Sequence, residues 1–351
     1  NSRIFARMKD KLYGKTLQEL EVICASLSLA KFTAKQIADW LYKKEISSIS
    51  QMSNLSLKAR AALEDIFDFG LTPYRDKVVS KDGTKKYLFE YEGNAWVEAV
   101  MIPDKERYTL CVSTQVGCRM NCQFCATGKQ GLKRNLTTNE ILNIIRSIDE
   151  FSLLTNVVYM GMGEPLDNYD NLMRSLEVLT QKWGMAWSGK RITVSTCGFL
   201  PKLKDFLDNT NVHLAISLHN IIPSERKEIM PIEKAYGIEE VIELLKQYDW
   251  SGQRRLTFEY IVFNNLNNKP HHILTLAREL GKLECRVNLI RFHTIPNTIF
   301  QSAEQEDMIK FRDSLSGKGI ITTIRASRGE DILAACGLLS TKKLLSLPVK
   351  N

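Results

Sequence analysis

The chain has 351 residues, of which 44% are hydrophobic and 25% charged, and this composition indicates a folded globular protein rather than a disordered or fibrous one. No apolar run reaches the roughly 18 residues of a membrane-spanning helix, and no secretory signal pattern is visible, so the cytoplasm is the expected compartment. The net charge of +8 permits an anionic partner such as nucleic acid without requiring one.

Residues 1–72 are predicted to form a small helical module. Thr16-x-x-Glu19 and Thr33-x-x-Gln36 are capping-box patterns, in which the two side chains exchange hydrogen bonds with the backbone at a helix start. Each pattern precedes an apolar run, so each predicts a helix. The module is mildly basic, which fits RNA contact and fits an ordinary solvated helix face equally well.

Residues 73–106 are predicted to form a small β extension. Strand-like runs between Lys77 and Met101 are separated by Asp82-Gly83 and Gly93-Asn94, which are typical turn dipeptides. This pattern predicts a hairpin followed by a third strand.

Residues 107–345 alternate between strand and helix, which predicts an α/β fold with a parallel sheet covered by helices, as an open or closed barrel. The strand candidates are Thr109–Ser113, Asn156–Met160, Arg191–Ser195, His213–Ser217, Leu256–Val262, Arg286–Ile290 and Ile321–Arg325. The helix candidates include Asn139–Phe151, Ile238–Tyr248, His271–Leu280 and Glu304–Leu315.

Polar segments directly follow the first four of these strands. They are Cys118–Cys125, Gly161–Pro165, Ser195–Gly198 and Ser217–His219. Because ligand sites in parallel α/β folds gather at the carboxyl ends of the strands, we expect these segments to converge on one rim.

Cys118, Cys122 and Cys125 form a CxxxCxxC motif in the first of these segments. Three thiolates can ligate three irons of a 4Fe–4S cluster and leave the fourth iron open for a substrate or cofactor. A structural zinc site is the alternative, but it usually needs two CxxC-like pairs, and the sequence has no second pair. In a chain of this length with eight cysteines and no secretory signal, metal binding or catalysis is expected rather than a disulfide scaffold.

The CxxxCxxC loop and the later Gly161–Pro165 loop resemble those of the radical S-adenosylmethionine (SAM) superfamily. Further segments resemble the dual-specificity RNA adenosine methyltransferases, the RlmN/Cfr family, over nearly the whole chain. These segments are Leu110–Ser113, Cys125–Gly128, Gly161–Leu166, Ser217–His219, Val287–Ile290 and Ala334–Gly337. The resemblance implies a radical-SAM partial (βα)6 barrel with the N-terminal helical module and the small β extension.

The resemblance also implies the cofactors, which are a 4Fe–4S cluster on the three motif cysteines and SAM, with two SAM molecules per turnover. In the superfamily, cleavage of SAM at the open iron gives a 5′-deoxyadenosyl radical, and the protein positions the cofactors. The positions that match SAM-binding residues are Gly163, Glu164, Ser195, Ser217, Leu218, His219 and His293. His293 departs from the family, which has Asn at this position. An imidazole can replace an amide in only one of its two hydrogen-bonding roles, so the contact with SAM is not expected to be the same.

Two further cysteines match catalytic positions of the family. The ring carbon of adenine that is methylated is electron-poor, so it does not take a methyl group directly from SAM. The resemblance implies that Cys336 carries the methyl group as S-methylcysteine, that Cys111 releases the product by forming a disulfide with Cys336, and that Glu98 accepts a proton. Without the resemblance, a lone cysteine is interpreted as a small buried hydrophobe and Glu98 as a solvent-facing strand residue. The cysteines expected to be buried and inert are Cys24, Cys197 and Cys285.

The Glu164-Pro165-Leu166 sequence resembles the branch of the family that methylates carbon 2 of adenosine. The implied substrates are 23S rRNA and tRNA, next to the anticodon, with a one-electron donor such as flavodoxin as a partner and a monomeric enzyme. Lys129, Lys133 and Arg134 are expected to contact RNA phosphates. The alternatives are carbon-8 methylation, as in the Cfr-like branch, another radical-SAM reaction, and a non-catalytic RNA-binding protein.

Overall fold

The computed structural model describes residues 9–340. The described chain forms two compact units, the first made of residues 9–73, 136–149 and 170–188, and the second of residues 74–135, 150–169 and 189–340. The parts of the predicted domains at residues 1–8 and 341–345 lie outside the described residues.

The helices of the described chain are α1 (Leu17–Ser26), α2 (Phe32–Lys43), α3 (Leu57–Ile66), α4 (Ala126–Lys129), α5 (Thr138–Arg146), α6 (Tyr169–Thr180), α7 (Leu200–Asn209), α8 (Pro223–Ile229), α9 (Ile238–Leu245), α10 (Pro270–Leu280) and α11 (Gln305–Ser316). The strands are β1 (Asp10–Lys11), β2 (Phe67–Asp68), β3 (Asp76–Val79), β4 (Lys85–Tyr91), β5 (Ala95–Asp104), β6 (Arg107–Cys111), β7 (Gln115–Cys118), β8 (Gly131–Asn135), β9 (Asn156–Tyr159), β10 (Ile192–Thr196), β11 (His213–Ser217), β12 (Leu256–Val262), β13 (Cys285–Arg291) and β14 (Ile321–Ile324).

One of the two predicted capping boxes begins a helix. Thr16 caps α1: its hydroxyl accepts the N–H of Glu19 at 3.3 Å, and the Glu19 carboxylate accepts the N–H of Thr16 at 2.8 Å. The prediction for Thr33 is wrong, because α2 begins at Phe32 and Thr33 is buried within its first turn. The N–H of Thr33 is already bonded to the carbonyl of Ala30, so its hydroxyl is not at a cap position.

The first unit joins the N-terminal helices to α5 and most of α6. The Asn139 side chain on α5 donates to the carbonyls of Tyr13 and Gly70 at 2.9 and 2.8 Å. Asn143, one turn later, donates to the carbonyl of Thr72 at 2.9 Å and accepts its N–H at 2.8 Å. Asparagine side chains therefore satisfy the backbone of a connecting segment that has little regular secondary structure.

A ten-stranded sheet organises the second unit, with the strand order β14-β13-β12-β11-β10-β9-β6-β5-β4-β3. The seven strands from β6 to β14 in this order run parallel, and β3 to β5 join them as an antiparallel meander through the β5–β6 pair. Six strand–helix connections precede β14, and within the described residues β3 and β14 are the free edges, so the sheet stays open. The predicted α/β fold with a partial barrel and a β extension is confirmed.

The central parallel strands are largely apolar, as expected for a sheet that is covered by helices. Strand β12 is buried except at Thr257, and the three central residues of β11 are buried. Tyr260 of β12 stacks on Phe311 of α11 with ring centroids 5.5 Å apart. All seven predicted parallel strands are present within two residues of the predicted bounds. No helix among residues 9–340 is long and apolar enough to cross a membrane.

Candidate active site

The CxxxCxxC segment connects β7 to α4, and β7 pairs with β8, which follows α4. Strand β7 ends at Cys118, and Cys125 directly precedes α4. Gly117 has a φ of +79°, and a Cβ there would overlap the carbonyl of Gly131 on β8, so glycine is required for this close approach. The bulge at Val116–Gly117 turns the chain so that all three cysteines line one cavity.

The three thiols lie close enough to affect one another electrostatically. Burial, and then the neighbouring Cys125 and Cys118, raise the pKa of Cys122 well above its usual value. Burial also raises the pKa of Cys118 to about 12 and that of Cys125 in the same direction. Bound iron would reverse this effect, because a metal cation stabilises the thiolate form.

The three motif cysteines share a cavity but do not form a compact single-ion site. Among the described residues, the one group of three metal-ligating side chains whose donor atoms all lie within 4.8 Å of one another is Glu225, His271 and His272. The motif cysteines are not such a group, although they share a cavity. Tetrahedral zinc requires closely spaced ligands, whereas a 4Fe–4S cluster places each thiolate on a different iron.

The carboxylate of Glu164 is buried, and two backbone N–H groups hold it in place. One oxygen accepts the N–H of Cys197 at 2.9 Å, and the other accepts the N–H of Leu166 at 3.1 Å. Burial raises the pKa of Glu164, and the Cys197 hydrogen bond opposes this rise. Gly163, with φ +102°, packs its Cα against Gln115 too closely for a side chain. Both residues line the cavity, where a fixed carboxylate suits an ammonium group.

Residues at the ends of β10 and β11 form the facing wall. Ser195, Ser217 and His219 line the cavity, whereas Leu218 is fully buried outside it. Burial, with a contribution from Arg226, lowers the pKa of His219 to about 3, so the ring is neutral. Its Nδ1 accepts the N–H of Ile261 at 3.0 Å, so the proton resides on Nε2, which is a hydrogen-bond donor.

Cys111 and Cys336 line the same cavity as the three motif cysteines. Burial raises the pKa of Cys111 to about 12; the adjacent Cys336 adds to the rise and Arg325 opposes it. Cys336 is exposed and also raises the pKa of Cys125, so it lies near both Cys111 and the motif. Its segment is fixed to α4, because the carbonyl of Gly337 accepts the N–H of Ala126 at 2.8 Å.

Glu98 is fully buried on β5, so the solvent-facing alternative is wrong. Its carboxylate pairs with the buried Lys86 at 3.1 Å and accepts the N–H of Ser340 at 2.8 Å. Burial raises the pKa of Glu98, and Lys86 opposes the rise. Glu98 does not line the cavity, but Val100 and Ile102, on the same face of β5, do.

Glu259 is a cavity residue that no motif in the sequence indicates. It lies on β12, and its carboxylate accepts hydrogen bonds from the side chains of Asn288 at 2.8 Å and Arg325 at 3.1 Å. Arg325 thereby lies beside Cys111 and Cys336. The available signal was a lone acidic residue in the mostly apolar run Leu256–Val262, because an acidic side chain buried in a central strand needs a partner.

His293 lies outside the cavity that contains the motif cysteines. It lines a neighbouring cavity that also contains Cys336 and Arg325. Its Nε2 is 3.1 Å from the Ser327 hydroxyl. Burial lowers the pKa of His293, and the nearby Glu330 opposes this change. In this structure His293 therefore holds the segment that leads to Cys336. Cys24 and Cys285 are buried as expected, whereas the buried Cys197 contributes to the cavity wall.

Two parts of the chain match known protein families. Residues 112–277 match the radical SAM superfamily. Residues 11–68 match the N-terminal domain of the ribosomal RNA large subunit methyltransferases. The first match begins just before the cysteine motif, and the second covers the N-terminal helices.

Relatives of similar length are known from several bacteria. A probable dual-specificity RNA methyltransferase RlmN of Parabacteroides distasonis is 55% identical, covering 95% of this chain and 98% of the relative. The dual-specificity RNA methyltransferase RlmN of Syntrophus aciditrophicus is 38% identical over 94% and 96% of the two chains. The crystal structure of a radical SAM methyltransferase from Sphaerobacter thermophilus is 38% identical and superposes with a TM-score of 0.86 over 94% of this chain and 99% of that one. The chain therefore belongs to the RlmN family of radical SAM RNA methyltransferases.

Proposed function

We propose that this enzyme methylates carbon 2 of adenosine in 23S rRNA and in tRNA, next to the anticodon, in the cytoplasm and as a monomer. The observation that carries the proposal is that Cys111 and Cys336 line the same cavity as the three cysteines of the cluster motif. A radical-SAM enzyme that did not use a cysteine-bound methyl group would not require the second pair.

The residues of the cavity fit both cofactors of the family. Cys118, Cys122 and Cys125 would hold the cluster, and the Gly163–Glu164 segment would receive the ammonium group of SAM. Ser195, Ser217 and the Nε2–H of His219 supply polar groups for the remainder of the molecule. When bound, the cluster and SAM supply a methyl group and a carbon-centred radical.

The two additional cysteines have different environments, and these support different roles. Cys336 is exposed on an irregular segment, so it can receive the methyl group and meet a base brought in from solution. Cys111 is buried with a raised pKa, so it stays protonated until the adduct forms. When Cys111 loses its proton, its sulfur attacks the sulfur of Cys336, which forms the disulfide and breaks the bond from Cys336 to the methylene carbon on the base. That carbon takes the electron pair of the broken bond and a proton, and so becomes the methyl group of the product.

Glu98 is proposed to accept the proton from carbon 2. A carboxylate whose pKa burial raises is a stronger base than a solvated one. Its contact with the N–H of Ser340 ties it to the segment that carries Cys336.

The neighbouring cavity is a suitable entry for the target nucleotide. It opens on Cys336 and is lined by Arg107, Arg325 and Arg328, which can contact phosphate or base. Enzymes that modify a base edge take the base out of its stack. The exposed Lys129 and Lys133 lie beside the cluster loop and are proposed to bind backbone phosphates, and flavodoxin is proposed as the electron donor.

The direct test is anaerobic reconstitution with iron, sulfide, SAM and a reductant, followed by incubation with 23S rRNA fragments and with tRNA. Mass spectrometry of the digested nucleosides should show 2-methyladenosine in both RNAs. Mainly 8-methyladenosine would contradict the carbon-2 assignment while leaving the cysteine chemistry intact. A lack of any methylated adenosine, with intact SAM, would contradict the proposal as a whole.

A further inference from the structure

Arg226, on α8, is a fully buried arginine that the steps above do not use. It does not line the cavity of the motif cysteines. A buried guanidinium costs free energy unless its charge and its donors are satisfied. The groups that satisfy it therefore show which part of the fold it stabilises.

The guanidinium gathers main-chain carbonyls from the ends of two neighbouring strands. Its Nη2 donates to the carbonyls of Cys197 at 2.9 Å and Ser217 at 3.0 Å, and its Nε donates to the carbonyl of Leu218 at 3.0 Å. Cys197 directly follows β10, and Ser217 is the last residue of β11. One side chain thus joins the two turns that form the wall of the cavity.

Glu233 supplies the counter-charge and extends the same network. It pairs with Nη1 of Arg226, and the two side chains are 5% and 1% exposed. The Glu233 carboxylate also accepts the N–H of Ile238, the first residue of α9, at 3.1 Å. The charge of Arg226 is therefore neutralised within the fold.

The helix of Arg226 also contacts the cysteine motif. At its C-terminal end, the carbonyl of Ile229 accepts the N–H of Gln123, between two motif cysteines, at 2.8 Å. The next residue, Met230, lines the cavity and packs in the same apolar cluster as Cys118 and Phe124. Helix α8 therefore connects the strand ends on one side of the cavity to the motif on the other.

We propose that Arg226 is a positioning residue of the SAM pocket, which sets the Ser217–His219 turn and Cys197 at a fixed separation from the cluster loop. This inference rests on the proposed function, because it requires SAM to bind in this cavity. Arginine is suited to the task because its planar guanidinium directs several donors at fixed angles, whereas a lysine ammonium is a single point on a flexible stem.

The test compares SAM binding in three variants of the reconstituted enzyme. Arg226→Lys keeps the positive charge and the pairing with Glu233 but cannot reach all three carbonyls. Its Kd for SAM should rise about tenfold, because the binding-competent arrangement of the pocket would then be populated only about a tenth of the time, and the KM for SAM should change more than kcat. Glu233→Gln keeps an acceptor for Arg226, so it should change the Kd for SAM by less than about threefold, although the unpaired charge of Arg226 should lower the free energy of unfolding. Lys227→Met, at an exposed neighbour on the same helix, should leave it unchanged.

Two further measurements separate positioning from a general loss of structure. The iron content and the Kd for RNA should equal those of the wild type in Arg226→Lys, and the SAM-induced change in the EPR spectrum of the reduced cluster should require about tenfold more SAM. If Arg226→Lys does not hold iron, the Arg226→Met/Glu233→Leu double variant, which leaves no unpaired charge, takes its place. A wild-type Kd for SAM in either variant, or a parallel weakening of RNA binding, would overturn the inference. Failure of the wild type itself to bind SAM would instead contradict the proposed function.

Discussion

The buried ion pair of Lys86 and Glu98 gives a quantitative test of the site. The side chains are 5% and 0% exposed, and Nζ lies 3.1 Å from Oε1. Among the described residues, this oxygen has no well-aligned hydrogen-bond donor, so the charge of Lys86 is its main compensation. Lys86→Met removes that charge and leaves the other carboxylate oxygen with the N–H of Ser340.

The expected loss of stability follows from the separation of the charges. At 3.1 Å and an effective dielectric constant of about 20, the attraction is about 5 kcal/mol. Breaking a buried pair on one side typically costs about 3–5 kcal/mol. Because the remaining carboxyl can take up a proton, we expect the free energy of unfolding of Lys86→Met to fall by about 3 kcal/mol near pH 8.

The loss should be smaller in mild acid. Burial raises the pKa of Glu98, and Lys86 opposes this rise, so removing Lys86 raises the pKa in the folded state further above that of the unfolded state. A group with a raised folded-state pKa contributes stability below its unfolded pKa and loses it as the pH rises through the folded pKa. The deficit of Lys86→Met should therefore grow between about pH 5 and pH 8.

The assay is urea unfolding of the wild type and the variant at both pH values. Lys81→Met, on the exposed turn between β3 and β4, is the matched control and should change the free energy of unfolding by less than about 0.5 kcal/mol. The Lys86→Met/Glu98→Leu double variant should recover most of the loss, because no charge stays unpaired, but should not methylate RNA. An equal deficit at both pH values, or a deficit below about 1 kcal/mol, would refute the reasoning.

Two more predictions concern the cluster and the segment that carries Cys336. Changing Cys118, Cys122 or Cys125 to Ala should remove the cluster, so iron analysis should find less than about a tenth of the roughly four irons per chain of the reconstituted wild type, whereas Cys285→Ala should keep them. The Asp82 carboxylate accepts hydrogen bonds from the N–H groups of Gly329 and Thr84. Burial raises the pKa of Asp82, but these bonds outweigh burial and lower the pKa to about 2. The contact with Gly329 should therefore persist down to about pH 2 and be lost below it. Asp82→Ala should speed hydrogen exchange at residues 329–340 about tenfold or more without loss of iron, and exchange at the wild-type rate would contradict this anchoring role.

The strand pattern and the cysteine motif could be predicted from the sequence because both are local signals. In a sequence, a buried parallel strand is a short apolar run, and all seven predicted runs form strands in the structure. The motif cysteines lie within eight residues of one another, so a single loop brings them together. The Asp82-Gly83 turn was equally local, and it joins β3 to β4 as expected.

The partners of the buried charges could not be predicted, because they depend on which side chains the folded sheet brings to the same face. Glu98 meets Lys86 across two antiparallel strands, and Glu259 meets Arg325 across three parallel ones. Their pairing depends on strand order and register, which a strand pattern does not specify. Arg226 lies in an ordinary polar helix segment, and only the fold shows that it is buried against the strand ends.

The measurement that tests the account most directly is a denaturing gel of Cys111→Ala after incubation with SAM, reductant and labelled RNA. If Cys336 carries the methyl group and Cys111 releases the product, this variant should load the methyl group, attack adenine and then stall. The gel should show a slowly migrating protein–RNA band, and mass spectrometry should map the bond to Cys336. Cys336→Ala/Cys111→Ala is the control and should give no such band. Normal turnover by Cys111→Ala, or a crosslink to any residue other than Cys336, would contradict the account.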